Sequence, residues 1–139
     1  MLKAIAVLLI ILALVLAIAP AFTDCQSQDK VITLENGKTI SMKCHWTGRA
    51  EIGVAVPLGL VGIMLLFSRR RESRVDLSIL GIALGVLAIL FPTVIIGVCM
   101  TPTMTCVTAM EPILIAAGAV AVAASLAVLV LAARRRDAE

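Results

Sequence analysis

Tyrosine is absent from the chain, histidine and tryptophan occur once each, and aromatic residues make up only 3% of it. That leaves little to stack on bases. No basic stripe is interleaved with aromatics either, so nucleic acid is not an expected partner. Charge is scarce too. Of 139 residues, 15% are charged and 61% hydrophobic, with a mean hydropathy of +1.11. A soluble domain needs far more surface charge than this. Catalytic templates are also missing. There is no Gly-x-Ser-x-Gly turn, phosphate loop, His-Glu-x-x-His or carboxylate pair with a partner, so an enzyme is not the expected class.

What is present is apolar sequence in four blocks. The run over residues 2–20 is almost unbroken Leu, Ile, Val and Ala behind Lys3. It exceeds a signal-peptide core and reaches spanning length, so it is expected to stay as a first helix rather than be cleaved. Pro20 is expected to end it. The second span covers residues 51–67, the third 75–98 and the fourth 111–133. Gly81 and Gly85 form a GxxxG pair that permits close helix approach, within the bundle or with a partner. Pro92 is a candidate kink. The fold class expected is an all-α membrane protein, a four-transmembrane-helix bundle with a small extracytoplasmic β-hairpin cap. One integral membrane domain covers residues 1–139, with an outer loop 22–50, a cytoplasmic loop 68–74, an outer cysteine loop 99–110 and a tail 134–139.

The arginines orient it. Lys3, Arg69, Arg70, Arg71, Arg74, Arg134, Arg135 and Arg136 fall on one side of such a bundle. Lys30, Lys38, Lys43 and Arg49 fall on the other. The positive-inside rule makes the first side cytoplasmic, giving a multi-pass protein of the cell membrane with both termini inside and the lipid bilayer as its first partner. All four cysteines then lie outside, in an oxidising compartment.

The polar stretch before the second span contains Val31-Ile32-Thr33-Leu34-Glu35-Asn36-Gly37-Lys38-Thr39-Ile40-Ser41-Met42. Asn-Gly between β-branched runs predicts a hairpin with positive φ at both turn residues. A two-residue turn sets Glu35 opposite Lys38 and Val31 opposite Met42. A lone hairpin is marginal in water, so it is expected to lean on the helices or on a partner.

Soft ligands gather in two places. Cys99-Met100-Thr101-Pro102-Thr103-Met104-Thr105-Cys106 holds two cysteines and two methionines, and Met42-Lys43-Cys44-His45-Trp46 holds a third cysteine beside the only His and Trp. Cys25 and Cys44 share one outer loop, Cys99 and Cys106 the other. The compartment points to two structural disulfides, Cys25–Cys44 and Cys99–Cys106, with cross-loop pairing of Cys44 to Cys99 or Cys106 as the rival. A second reading is a soft-metal site on Cys44, His45, Cys99, Met100, Met104 and Cys106, a donor set suited to copper(I). A third is thiol–disulfide chemistry, since four spans with a cysteine pair in each outer loop resemble quinone-linked disulfide-forming membrane enzymes. The absence of Cys-x-x-Cys speaks against that third reading. Trp46 is expected as an interface anchor. Glu51 and Glu111 are expected in first helical turns, where the helix dipole favours an acid. No acid is expected deep within a span.

Met42-Lys43-Cys44-His45-Trp46-Thr47, then Arg49-Ala50-Glu51, and Gly97-Val98-Cys99-Met100 through Met104-x-Cys106 together resemble an uncharacterised family of small bacterial and archaeal membrane proteins, a domain of unknown function. The resemblance covers nearly the whole chain, and Cys25 stands outside its motifs. Members encoded near macrolide-exporter-type ABC transporters imply a non-enzymatic accessory or interaction subunit, with an ABC transporter permease, or a second copy of the chain, as its partner. Handling of copper or of thiols at the outer face is the alternative. No catalytic residue and no resident cofactor is expected under the first reading.

Overall fold

A computed structural model describes residues 1–25, 29 and 31–134 of the chain. Lys30, Arg135 and Arg136, which carry part of the charge argument, lie outside the described residues. Among the described residues, four helices are long and apolar enough to cross a membrane. They are α1 (Leu2–Thr23), α2 (Lys43–Phe67), α3 (Arg71–Leu90) and α4 (Glu111–Arg134). A π turn, Phe91–Ile95, continues α3, and a second, Cys106–Met110, leads into α4. The fold is mostly helical, with one two-stranded antiparallel sheet, as the hydropathy blocks predict.

Over most of its length each helix is apolar on its outer as well as its inner face. Leu9, Leu16, Leu58, Leu65, Leu114 and Val128 point inward and are fully buried, while Val7, Ile11, Leu14, Val56, Leu60, Ile63 and Ile79 are exposed on the outer surface. A water-facing helix would turn polar residues outward, so this outer surface suits lipid. α1 packs most extensively on α2, and α3 on α4. The second pair meets backbone to backbone. A Cβ on Gly118 would come within 2.9 Å of the Gly85 carbonyl oxygen, and one on Gly85 within 3.0 Å of the Gly118 oxygen. The GxxxG pair is therefore used inside the bundle.

Several boundaries differ from those read in the sequence. α1 runs through Pro20 to Thr23, because the missing N–H takes only one bond from the helix, that to the Leu16 carbonyl, and the last turn still closes beyond it. The Asp24 N–H donates to the Pro20 carbonyl at 3.0 Å. α2 begins at Lys43 rather than at residue 51. Cys44, Thr47, Gly48 and Glu51 recur at helical spacing and are all buried, so a segment that looks like loop by polarity is helix by packing. Glu51 thus lies in the third turn of its helix and not, as expected, in the first, and it is buried in the bundle. The third span ends as helix at Ile95, short of residue 98.

The hairpin forms with another register. β1 (Ile32–Thr33) pairs β2 (Thr39–Ile40), Ile32 facing Ile40 and Thr33 facing Thr39. The Leu34 N–H donates to Lys38 O and the Gly37 N–H to Leu34 O, both at 2.9 Å. The turn therefore holds three residues, Glu35, Asn36 and Gly37. Only Gly37 takes a positive φ, of 75°, as in a type I turn closed by a glycine bulge. Glu35 does not face Lys38, and Val31 does not face Met42. Ile32 and Ile40 are about half exposed, so the strands are not buried against the helices.

A candidate metal centre of four cysteines

Four separate segments each bring one cysteine to the end of the bundle opposite the arginine loop. Cys25 follows the end of α1, and Cys44 sits in the first turn of α2. Cys99 lies in the loop after the first π turn, and Cys106 opens the second. Their sulfurs all lie within 4.8 Å of one another. Cys25 Sγ is 3.4 Å from both Cys99 Sγ and Cys106 Sγ, and Cys99 Sγ is 3.4 Å from Cys44 Sγ. A regular tetrahedron of thiolates around zinc, with Zn–S of about 2.3 Å, has S···S edges of about 3.8 Å. The observed separations bracket that edge. Cys25, Cys44 and Cys106 are buried, and Cys99 is the one partly reachable from outside. The Met42 thioether lies 4.0 Å from Cys99 Sγ.

Local hydrogen bonds hold the four segments in place. His45 Nδ1 pairs with Asp24 Oδ2 at 3.1 Å, so the residue after Cys44 clasps the residue before Cys25 and fixes the end of α1 against the start of α2. The Thr47 hydroxyl donates to Gly97 O at 2.7 Å, which pins the loop carrying Cys99 onto the turn after Cys44. Gly97 itself turns the chain with φ of 78°, a left-handed conformation that costs an L side chain about 1–2 kcal/mol. Pro92 lies within the first π turn, where the Ile96 and Gly97 N–H groups both donate to Phe91 O, at 3.2 and 3.0 Å. The Thr93 hydroxyl reaches back to Ile89 O at 2.6 Å.

The thiols are not equivalent. Burial pushes the Cys25 thiol well up, and its hydrogen-bonded neighbours Cys44, Cys106 and Cys99 push the same way. Burial raises Cys99 too, but hydrogen bonds from Cys44, Cys25 and Cys106 outweigh it and hold the Cys99 thiol below its ordinary value of 9.0. The same cluster thus shifts Cys25 and Cys99 in opposite directions.

The sequence singled out six residues for a soft-metal site. Cys44, Cys99 and Cys106 meet in the cluster, and Cys25, which lies outside the sequence motifs, is the fourth member. His45 is turned to Asp24, its ring edge-on to Trp46 at 5.9 Å between centroids. Met100 is fully exposed to solvent, and Met104 is partly buried against the core. Trp46 is largely exposed, as an interface anchor would be. All four cysteines are free, so neither Cys25–Cys44 nor Cys99–Cys106 is bonded in this structure. The three 3.4 Å sulfur contacts run between the Cys25/Cys44 side and the 99–106 loop, because α1 and α2 deliver Cys25 and Cys44 to the same point as that loop.

Glu51 is the functional candidate that sequence reasoning missed. It lies on the inward face of α2, seven residues past Cys44 or about 10 Å along the axis. It is fully buried, and neither carboxylate oxygen has a hydrogen-bond partner among the described residues. Ser125 Oγ in α4 is likewise buried without a partner among them. A helical reading from residue 43 would have placed Glu51 with Cys44 and Thr47 on one face.

Fold and site together define a class: a four-helix membrane protein with a tetrathiol cluster at one end of its bundle. The chain belongs to the family described as a domain of unknown function (DUF4418), which matches residues 5–131. No curated protein and no solved structure matches it.

Proposed function

We propose that this chain is a membrane-embedded tetrathiolate metal site that holds a thiophilic ion at the extracytoplasmic end of its bundle. The observation that supports it best is the meeting of four sulfurs within 4.8 Å from four separate segments. Mere packing of cysteines does not call for that geometry, and a tetrahedral ion does. Four cysteines without an open position suit zinc in a structural role. The Met42 thioether beside Cys99 supplies the one extra soft donor that would favour copper(I). Binding replaces thiol protons by a cation. The orientation follows from the arginines, with both termini cytoplasmic. The bound ion would brace the outer loops, which two disulfides would otherwise do.

An accessory role beside an ABC transporter permease is compatible with such a site. It draws on the lipid-facing helices, which any membrane protein has, and leaves the meeting of four sulfurs unexplained. The test uses full-length protein purified without reductant from native membranes under anaerobic conditions. One zinc or copper ion per chain is expected, with thiols that resist an impermeant maleimide until a chelator is added. Two disulfides and no metal would overturn the reading and return the cysteines to simple cross-linking.

A further inference from the structure

At the opposite end of the bundle, two adjoining clefts open between the start of α1, the α2–α3 connection and the end of α4. One, of about 510 Å³, is lined by Arg69, Arg71 and Arg74 together with Leu2, Val128 and Leu131. The other, of about 500 Å³, shares Arg69 and Arg74 and adds Lys3, with Leu65, Leu66 and Phe67 as its apolar wall. Among the described residues no carboxylate lines either cleft, although Glu72 and Asp76 lie on the same helix as Arg71 and Arg74. Among them, too, no ion pair to any of these arginines is formed, the one salt bridge being that of His45 with Asp24.

Two of the guanidiniums are fixed in position. Arg74 donates through Nε and Nη2 to Ser68 O at 3.2 and 3.0 Å, which folds the connection back onto α3. Arg71 donates through Nε to Ala132 O at 2.9 Å, tying α3 to the end of α4. Each still has N–H groups to spare. Arg69 makes no such bond and projects from the connection between the two clefts. The three guanidiniums therefore converge, with no carboxylate among the described residues lining the clefts, above walls of Leu, Val and Phe.

We propose that these clefts bind the phosphodiester headgroup of an anionic phospholipid. Arg69 and Arg74 grip the phosphate from the two sides, Arg71 closes the first cleft, and the acyl chains run down the apolar walls. Guanidinium forks match phosphate oxygens in pairs. Basic pockets between helix ends at a membrane surface are suited to such headgroups. A soluble phosphate would use the arginines but would leave the apolar walls uncovered, so the amphipathic lining favours lipid. The inference is independent of the cysteine cluster.

The test is lipid binding to the full-length protein in a neutral detergent, read by native mass spectrometry and by thermal shift. The probes are phosphatidylglycerol, phosphatidylcholine, and glycerol phosphate as the soluble form of the headgroup. Phosphatidylglycerol is expected to bind and to raise the melting temperature, with phosphatidylcholine at least about tenfold weaker. Arg69→Gln should weaken phosphatidylglycerol by about tenfold, the weight of a charge-assisted hydrogen bond. Arg70→Gln, a neighbouring residue that lines neither cleft, should change it by less than about twofold. Because Arg69 makes no internal bond, its variant should fold normally, and an unchanged melting temperature without lipid checks this. Equal binding of the two lipids, equal losses in the two variants, or glycerol phosphate binding as tightly as the lipid would each overturn the proposal.

Discussion

The two ends of this bundle solve opposite problems. At the cysteine end, sulfur is gathered inward. Four thiols from distant parts of the chain meet in a space that is closed except at Cys99. At the other end, permanent charge is spread outward. Arginines from one short stretch, residues 69–74, ring open clefts and are held by backbone carbonyls. The first site exists only once all four segments are in place, whereas the second is almost local. Convergent sites should therefore fail completely when one member is lost, and local ones by degrees.

The largest expected effect tests that contrast directly. Cys44→Ser or Cys106→Ser removes a buried ligand and should lower metal affinity by more than about 100-fold, beyond what loss of an outer-shell partner costs. Metal content of the purified variants measures it. Retention of a full complement of ion in either would break the contrast.

Legibility in the sequence divides the same way. The four spans could be read because lipid demands continuous apolar runs, and the arginine end because its charges are neighbours in sequence. The cysteine cluster was only half legible. Cys44, Cys99 and Cys106 stood out by their company of Met and His, but Cys25 has no such neighbours and joins through the clasp of Asp24 on His45. Polarity hid the first two turns of α2, and with them the burial of Glu51. The hairpin's glycine was legible, but its register was not, because a three-residue loop and a two-residue loop both end in Asn-Gly.

Glu51 gives the next test. A buried polar group without a partner costs about 1–3 kcal/mol, so Glu51→Leu should raise stability by about that amount in detergent, measured by denaturant or thermal unfolding. A loss of stability would mean that Glu51 holds a cation or a partner in the membrane, and would extend the cysteine site along the bundle. A comparable but opposite effect is expected at the loop. Gly97→Val forces a β-branched residue into a left-handed turn and should cost about 1–2 kcal/mol. It should also loosen Cys99 from Cys44, seen as faster maleimide labelling of the metal-free protein.

The smallest effect is a matter of pH. Because hydrogen bonds from its neighbours hold the Cys99 thiol below its ordinary value of 9.0, Cys99 should be alkylated first. Its rate should climb at lower pH than for a free cysteine. Cys25, pushed the other way by burial and its neighbours, should stay protonated and unreactive across the same range. Mass mapping of labelled peptides in metal-free protein over a pH series decides between this order and uniform labelling.

The loop bearing Cys99 and Cys106 is flanked on both sides by π turns, Phe91–Ile95 before it and Cys106–Met110 after it. Each fits one residue more between bonded partners than an α turn does. Each is therefore a place where the chain can give up one residue and close as ordinary α-helix, whereas a deletion in an unbroken α-helix turns everything beyond it by about 100° around the axis. The two turns act as slack on either side of the cysteine loop: a one-residue deletion there should be tolerated better by the metal centre than one inside α2.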